Sequence, residues 1–313
     1  MTYAGEDRRR VVAAPIGAGR RAVTPEVLRQ VKGIELRTRS LVNTLFTGEY
    51  RSVFRGQGIE FAEVRGYQDG DEFRSIDWNV SARMGHPYVK SFVEEREITL
   101  LLVVDQSGSQ HFGAPYTKAG LAVEVAAVLA LAAARHNDRV GALLFADRVE
   151  YVVRPAKGRP HALRVIRDLV AFRPRGRGTN LPEALRYAMK LLRHQAIVVV
   201  LSDFRADGWE EPLARLRAEH EVVVISVDDP RELQMPDAGW VDLEDAETGR
   251  RILLNSSDPA TRHRVLAVAT QQVQEREKRL TRAGVDRVSL HTHIPYGAPL
   301  RRAFAERARR LRR

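Results

Sequence analysis

The sequence predicts an α/β fold in which a mostly parallel central sheet carries helices on both faces. From about residue 98 onward, short apolar segments alternate with longer segments of helical periodicity. This alternation is typical of strand–helix–strand units, whose strands lie parallel beneath covering helices. A hydrophobic fraction of 44% in a chain of 313 residues is sufficient for a packed core and argues against global disorder.

The first third of the chain lacks this alternation and is expected to form separate parts. Residues 1–23 are rich in Arg, Ala and Gly and predict a flexible basic N-terminus. Thr24-Pro25-Glu26 has the composition of a helix start, and apolar residues at helical spacing follow it. Residues 50–97 contain frequent glycines between short β-like pieces such as 59–64. We therefore expect an N-terminal helix and a loop-rich β appendage over residues 24–97.

The main domain is expected over residues 98–296. Its first strand is apolar throughout, which is typical of a strand buried on both faces. Strands are predicted at residues 99–104, 139–145, 150–153, 196–201, 221–227 and 285–290, the second and third as a hairpin. Helices are predicted at residues 117–134, 160–170, 181–192, 209–219 and 258–283. Residues 240–243 and 250–254 predict a short hairpin, and residues 297–313 a basic C-terminal helix or tail.

Charge, cysteine content and hydropathy limit the partners and the compartment. The chain has 51 Lys+Arg against 40 Asp+Glu, with arginine runs at both ends. This balance favours anionic partners, although a solvated helix and tail explain the runs more simply. The absence of cysteine excludes disulfides and thiolate metal sites. Because no apolar run spans a bilayer and no secretory signal is evident, we expect a cytoplasmic protein without a transmembrane segment, with peripheral membrane contact left open.

Oxygen-bearing side chains follow two predicted strands and one loop between them. Asp105, Ser107 and Ser109 follow the first strand, Asp203 follows a later one, and Thr179 lies in a glycine-rich loop before a helix. Ligands of open α/β sheets bind beyond the carboxyl ends of the strands. Mg²⁺ prefers six oxygen ligands and retains some of its waters. The pattern predicts one cation site in which the three hydroxyls are ligands and the two aspartates hold the ion and its waters.

Such a site is suited to recognition, because neutral hydroxyl ligands leave the ion under-neutralised. An open coordination position then attracts a carboxylate from outside, and no nucleophile is needed. Each segment also has a purely structural interpretation. Asp105 and the two serines can form a self-bonded turn, and Thr179-Asn180 and Ser202-Asp203 can cap the helices that follow them.

Two groups of motifs resemble known families. Asp105-x-Ser107-x-Ser109, Thr179 and Asp203 resemble, in order and spacing, the metal-ion-dependent adhesion site of von Willebrand factor A domains. The segments Arg65-Gly66-Tyr67, Gly70-Asp71, Arg74-Ser75-Ile76-Asp77-Trp78 and Ala82-Arg83 resemble the signature of the bacterial domain-of-unknown-function 58 family. The resemblance covers roughly residues 30–300. Gln106 and Gln110 depart from it, since apolar residues are expected around the serines.

The resemblance implies a fold, a cofactor and a partner. The fold is a Rossmann-like von Willebrand factor A domain, and the cofactor is Mg²⁺, with Mn²⁺ or Ca²⁺ as alternatives. The function is that of a non-enzymatic adaptor, which binds an acidic group of a partner protein through the ion. The partner is a MoxR-type AAA+ ATPase, acting with the adaptor in protein assembly or activation. One alternative function is a metal-dependent hydrolase. The other is binding of anionic surfaces or nucleic acid through the arginine-rich ends, and we expect no sequence-specific recognition of nucleic acid.

Two further clusters of titratable residues are less convincing as metal sites. His291 and His293 share a strand face and could meet one zinc ion, but no third ligand of clear spacing accompanies them. Asp69, Asp71 and Asp77 could form a carboxylate metal centre or an acid/base pair, although their arginine neighbours favour an ion-pair network. Trp78 is expected to anchor the packing of that segment.

Overall fold

The computed structural model describes residues 24–46, 64–68, 73, 76–90, 98–113 and 116–311. The chain divides into two compact units, one formed by residues 1–53 and 99–313 and the other by residues 54–98. The expected flexible N-terminus and nearly all of the β-like piece at 59–64 lie outside the described residues.

The secondary structure of the larger unit follows the predicted order. Its helices are α1 (Pro25–Phe46), α3 (Lys118–Arg135), α4 (Arg159–Ala171), α5 (Leu181–Leu191), α6 (Glu210–Glu219), α7 (Pro259–Ala283) and α8 (Gly297–Leu311). Its strands are β3 (Thr99–Asp105), β4 (Arg139–Phe145), β5 (Val149–Ala156), β6 (Ile197–Ser202), β7 (Glu221–Asp228), β8 (Trp240–Glu244), β9 (Arg251–Asn255) and β10 (Asp286–His291). Short 3₁₀ turns span Gly108–His111 and Pro230–Leu233.

The central sheet has six strands in the order β10-β7-β6-β3-β4-β5. All neighbouring pairs are parallel except β4 and β5, which form an antiparallel pair. The predicted β4–β5 hairpin and mostly parallel sheet are therefore confirmed. Strand β3 lies in the centre, where Leu102 is opposite Ala142 of β4 and Val199 of β6.

Alternating residues of β3 pack against helices on opposite faces of the sheet. Leu101 and Val103 belong to a buried cluster that includes residues of α5 and α6. Leu100 and Leu102 are equally buried and point to the other face. That face is covered by α3, which contacts β3 and β4. Burial on both faces explains why the strand is apolar throughout.

Helix α1 packs against α3 and α4, so it belongs to the unit that contains the sheet. Its apolar stripe, which includes Val27, Val31 and Ile34, is buried, and Arg37 donates to Glu124 of α3 at 2.5 Å. The expected grouping of this helix with the appendage is therefore wrong. The amphipathic pattern predicts the helix, but it does not state which surface covers its apolar side.

The C-terminal helix α8 is also part of the larger unit, because it packs against β10. Leu300 and Phe304 are buried, and the guanidinium of Arg307 is paired with Glu221 at 2.6 Å and with Asp286. The predicted helix is confirmed, but its separation from the domain at residue 297 is wrong. At least one arginine of the basic run is a buried structural residue.

The smaller unit contains β1 (Val64–Gly66), α2 (Trp78–Met84) and β2 (Tyr88–Lys90). The two strands pair antiparallel, with Arg65 opposite Val89. Asp77 caps α2, since its Oδ1 accepts from the amide of Asn79 at 3.0 Å. Trp78 is 68% exposed, so the prediction that it anchors packing is wrong. Over the whole described part of the chain, no helix is long and apolar enough to cross a membrane.

Candidate functional site

The predicted ligand residues lie at the carboxyl edge of the central sheet. Asp105 is the last residue of β3, and Asp203 directly follows β6. The two strands are parallel neighbours, with Val104 opposite Leu201, so both carboxylates emerge at the same edge. Position in the sheet therefore brings together two residues that are 98 apart in sequence.

Four of the five predicted site residues form one hydrogen-bonded network. The amide of Ser107 donates to Asp105 Oδ1 at 2.9 Å. The Ser107 and Ser109 hydroxyls lie 3.2 Å apart, and Ser109 Oγ donates to Asp203 Oδ2 at 3.1 Å. Asp105, Ser107 and Asp203 are buried. The network runs from the Asp105 carboxylate through the Ser107 amide and the two serine hydroxyls to the Asp203 carboxylate.

Asp105 is fully buried and has no cationic partner among its hydrogen bonds in the described chain. Its Oδ2 accepts from the hydroxyl of Ser202 at 2.6 Å. Burial, together with the negative charge of Asp203, raises the pKa of Asp105 to about 7, although the bonds from Ser202 and Ser107 act in the opposite direction. Among the described residues, the groups that donate to this carboxylate are the neutral Ser107 amide and Ser202 hydroxyl.

Asp203 is paired with a lysine that the sequence analysis did not identify. Lys118 is fully buried, and its Nζ donates to Asp203 Oδ2 at 2.8 Å and to Glu232 Oε1 at 2.6 Å. Burial alone would raise the pKa of Asp203, but Lys118 and Arg205 hold it below its usual range. Burial likewise disfavours the charged ammonium, but the two carboxylates raise the pKa of Lys118 above its ordinary value. Asp203 is therefore ionised and Lys118 protonated.

The position of Lys118 in the sequence offers a signal for this pair. Thr117 caps α3 with its side chain, so Lys118 is the first residue of the helix that follows the serine loop. The helix is otherwise mostly alanine, valine and leucine, and it is buried along most of its length. A lysine in such a helix has to meet a carboxylate if it is buried.

The backbone around Asp203 is fixed from the interior. Arg276 of α7 donates to the Asp203 carbonyl at 3.0 Å and forms a two-bond pair with Asp228 at 2.5 and 2.9 Å. Phe204 follows in a left-handed conformation with φ of 54°. Its buried ring packs edge-on against Trp209, with 5.5 Å between centroids. A non-glycine residue in this region is strained, and the packing of the buried ring offsets the energetic cost of the strained backbone.

Thr179, the fifth predicted residue, has a different partner. Its hydroxyl donates to Glu247 Oε1 at 2.6 Å, and within the described chain no hydrogen bond joins it to the other four. Its loop does adjoin the serine loop, since the Gly108 amide donates to the Arg177 carbonyl at 2.7 Å. Asn180 is the residue that caps α5, with Oδ1 accepting from the Glu183 amide at 3.1 Å. Asn180 is therefore the residue that caps this helix, and the Thr179 hydroxyl is not used as a cap.

The donor set consists of carboxylate and hydroxyl oxygens, which suits a hard cation such as Mg²⁺. In the described residues, no group of three His, Cys, Asp or Glu side chains is arranged to hold a metal. The rings of His291 and His293 lie 5.8 Å apart, but without such a group they do not form a zinc site in this part of the protein. Asp69 and Asp71 lie outside the described residues.

The two glutamines of the serine loop are directed inward. Gln106 donates to the carbonyl of Asp105 at 3.0 Å. Gln110 is fully buried, and neither atom of its amide has a partner within the described chain. Such an orphaned amide is costly unless water satisfies it. The departure from apolar residues therefore places extra polar groups beneath the candidate ligands.

Comparison with known proteins assigns the family. A family model described as "Protein of unknown function DUF58" matches residues 63–277. The chain belongs to the DUF58 family. An uncharacterized protein of Mycobacterium tuberculosis, Rv1480, is 32% identical over 289 residues, which is 91% of each chain. The uncharacterized protein YeaD of Bacillus subtilis is 41% identical over 51 residues, covering 16% of this chain and 13% of that protein.

Solved structures with similarity to this DUF58 chain are distant. BatB from Bacteroides thetaiotaomicron is 16% identical with a TM-score of 0.43, covering 68% of this chain and 99% of that one. The vWF domain of the type V pili tip protein Mfa5 from Porphyromonas gingivalis is 12% identical with a TM-score of 0.36, covering 69% and 95%.

Proposed function

We propose that this DUF58 chain is a metal-dependent protein-interaction module. In this proposal its larger unit is a Rossmann-like von Willebrand factor A domain. Mg²⁺, with Mn²⁺ or Ca²⁺ as alternatives, binds Ser107, Ser109 and Thr179, while Asp105 and Asp203 hold the ion and its waters. The observation that carries the proposal is the buried network from Asp105 through the serines to Asp203 at the edge of the sheet.

The electrostatics of the network support a cation. Two buried carboxylates face the site, but the ammonium of Lys118 is hydrogen-bonded to Asp203 and Glu232. Within the described part of the chain, the donors to Asp105 are neutral. Asp203 Oδ1 accepts one weak bond, from the Arg205 amide at 3.3 Å, so it has lone pairs to offer an ion. A bound divalent ion would supply the missing charge and attract an external carboxylate.

The proposed ligand is an acidic side chain of a partner protein, and the partner is a MoxR-type AAA+ ATPase in the cytoplasm. The net charge of +11 favours approach of an acidic surface. Because recognition through an ion requires no nucleophile, we propose no catalytic activity. A metal-dependent hydrolase is the alternative, and turnover that Asp203→Ala abolishes would support it.

Calorimetric titration with Mg²⁺ tests the site. Wild type is expected to bind Mg²⁺, and Asp203→Ala is expected to lose binding because it removes a charged ligand. Asp207→Ala is the matched control, since that aspartate is close in sequence but its side chain is 95% exposed. Absence of Mg²⁺ binding to the wild type, or equal binding to all three proteins, would contradict the proposal.

Capture from a native lysate, with and without EDTA, tests the partner. The proposal expects a AAA+ ATPase among the proteins that depend on Mg²⁺ and that Asp203→Ala fails to capture. A purified ATPase that binds wild type equally well in EDTA would exclude metal-dependent recognition of it.

A further inference from the structure

The turn between β8 and β9 lies directly against the serine loop. A Cβ atom built on Gly108 would lie 2.3 Å from the carbonyl oxygen of Ala246, which is a backbone atom of this turn. The same Cβ would lie 3.1 Å from the carbonyl oxygen of Arg177. Gly108 therefore sits between the threonine loop and the turn, and the close approach of the three segments depends on its missing side chain.

The turn has an ordered conformation that presents one side chain. Asp245 Oδ1 accepts from the amides of Glu247 at 2.9 Å and Thr248 at 3.0 Å. Gly249 closes the turn with φ of 71°. Glu247 is half-buried, and its Oε1 accepts from the hydroxyl of Thr179 at 2.6 Å. The protein thus places one of its own carboxylates on a predicted ligand of the ion.

We propose that Glu247 is an internal carboxylate ligand, which occupies the open coordination position until a partner's carboxylate displaces it. This inference rests on the proposed function, because it concerns the same ion. A glutamate offers the chemistry that the site selects, and it requires no other molecule. The β8–β9 hairpin, residues 240–255, is then the element that closes and opens the site.

The hairpin is held weakly along its strands and firmly at its base. Leu243 and Ile252 form a cross-strand pair and are 40% and 56% exposed. The ion pair from the hairpin to Arg177 is exposed and long, at 3.4 Å from Glu244. At the base, Ser256 donates to the Gly239 carbonyl through its amide at 2.7 Å and its hydroxyl at 2.8 Å. The proposal therefore requires the ribbon to move about its base while the central sheet stays unchanged.

The test uses Mn²⁺ as the probe and the full chain. Proton relaxation of water reports how many exchangeable waters the bound ion carries, and titration of the same signal gives the dissociation constant. For Glu247→Ala we expect about one additional water, since the ion is six-coordinate and loses one protein ligand. The Mn²⁺ dissociation constant is expected to rise about tenfold, as for loss of one charge-assisted contact. Added acetate should lower the relaxation of the variant while leaving the wild type unchanged.

Asp242→Ala is the matched control, because it removes a carboxylate of the same hairpin that forms an ion pair with Arg251 at 3.5 Å. It is expected to behave as wild type. If wild type binds Mn²⁺ and Glu247→Ala matches it in affinity, bound water and response to acetate, the internal ligand is refuted while the ion site stands. If wild type binds no Mn²⁺, the proposed function fails and the internal ligand fails with it. Glu247 lies on a surface turn, and a thermal melt establishes that each variant is folded.

Discussion

Replacing Lys118 by methionine is the most direct test of how charge is balanced in the site. The substitution keeps the unbranched apolar part of the side chain but removes the ammonium. Asp203 and Glu232 then lose donors at 2.8 and 2.6 Å. Removing one partner of a buried ion pair costs about 3–5 kcal/mol, because the remaining charge is left uncompensated. Lys118 is fully buried, so solvent does not reduce this cost.

The free energy of unfolding, measured with denaturant in EDTA, should therefore fall by about 3–5 kcal/mol in Lys118→Met. If the proposed site binds Mg²⁺, the ion at 100 times its dissociation constant would stabilise the wild type by about 2.7 kcal/mol. We expect a larger stabilisation of the variant, because the ion there meets Asp203 without a competing ammonium. Lys278→Met is the control, since that side chain is 63% exposed and its pair with Glu275 is 4.0 Å long.

A loss below about 1 kcal/mol in EDTA would show that the buried pair does not carry the assigned energy. Equal stabilisation of both proteins by Mg²⁺ would show that the ion and the ammonium do not share Asp203. Calorimetry gives the second comparison independently, since Lys118→Met should bind Mg²⁺ more tightly than wild type does.

Three further predictions concern the frame around the site. Hydrogen bonds from Arg231 hold the pKa of Asp229 well below its usual range, so Asp229→Asn should destabilise the protein at pH 7. The difference in unfolding free energy between wild type and variant should shrink as the pH falls below about 4, where the Asp229 carboxylate of the unfolded state is protonated first. A difference that does not depend on pH would show that Arg231 does not stabilise the ionised Asp229. Arg307→Met should lower the free energy of unfolding by about 3 kcal/mol. Arg309 is exposed, and Arg309→Met should change that free energy by less than about 0.5 kcal/mol. Equal denaturation midpoints of the two variants would show that Arg307 does not anchor α8. Gly141→Ala should lower the melting temperature, because the new Cβ would lie 2.7 Å from the Val153 carbonyl oxygen. An unchanged melting temperature would show that β4 and β5 move apart without loss of stability.

The arrangement of the sheet was predictable because a buried strand requires apolar residues, which are visible in the sequence. A strand covered on both faces is apolar along its central residues, as β3 is over residues 100–104 and β6 over residues 197–201, and long helices separate such strands. The convergence of Asp105 with Asp203 follows from parallel neighbours ending at one edge. Position along a strand was therefore enough to bring these carboxylates together.

Contacts made between distant segments were not predictable in the same way. Lys118 resembles a solvated residue of a first helical turn until the fold places it against Asp203 and Glu232. Glu247 lies 68 residues from Thr179, in a turn whose sequence predicts only a hairpin. The assignment of α1 failed for a related reason, since an apolar stripe does not identify the surface that covers it.

The left-handed turn at Phe204 has a consequence for the entropy lost when an ion binds at Asp203. The buried Phe204 ring packs against Trp209, and Arg276 donates to the Asp203 carbonyl, so the backbone beside the carboxylate is held from within the fold. The carboxylate is therefore aimed before any cation arrives, and little ordering entropy remains to oppose its capture. Adaptation to different ligands would have to come from the surface hairpin, while this corner acts as a rigid template.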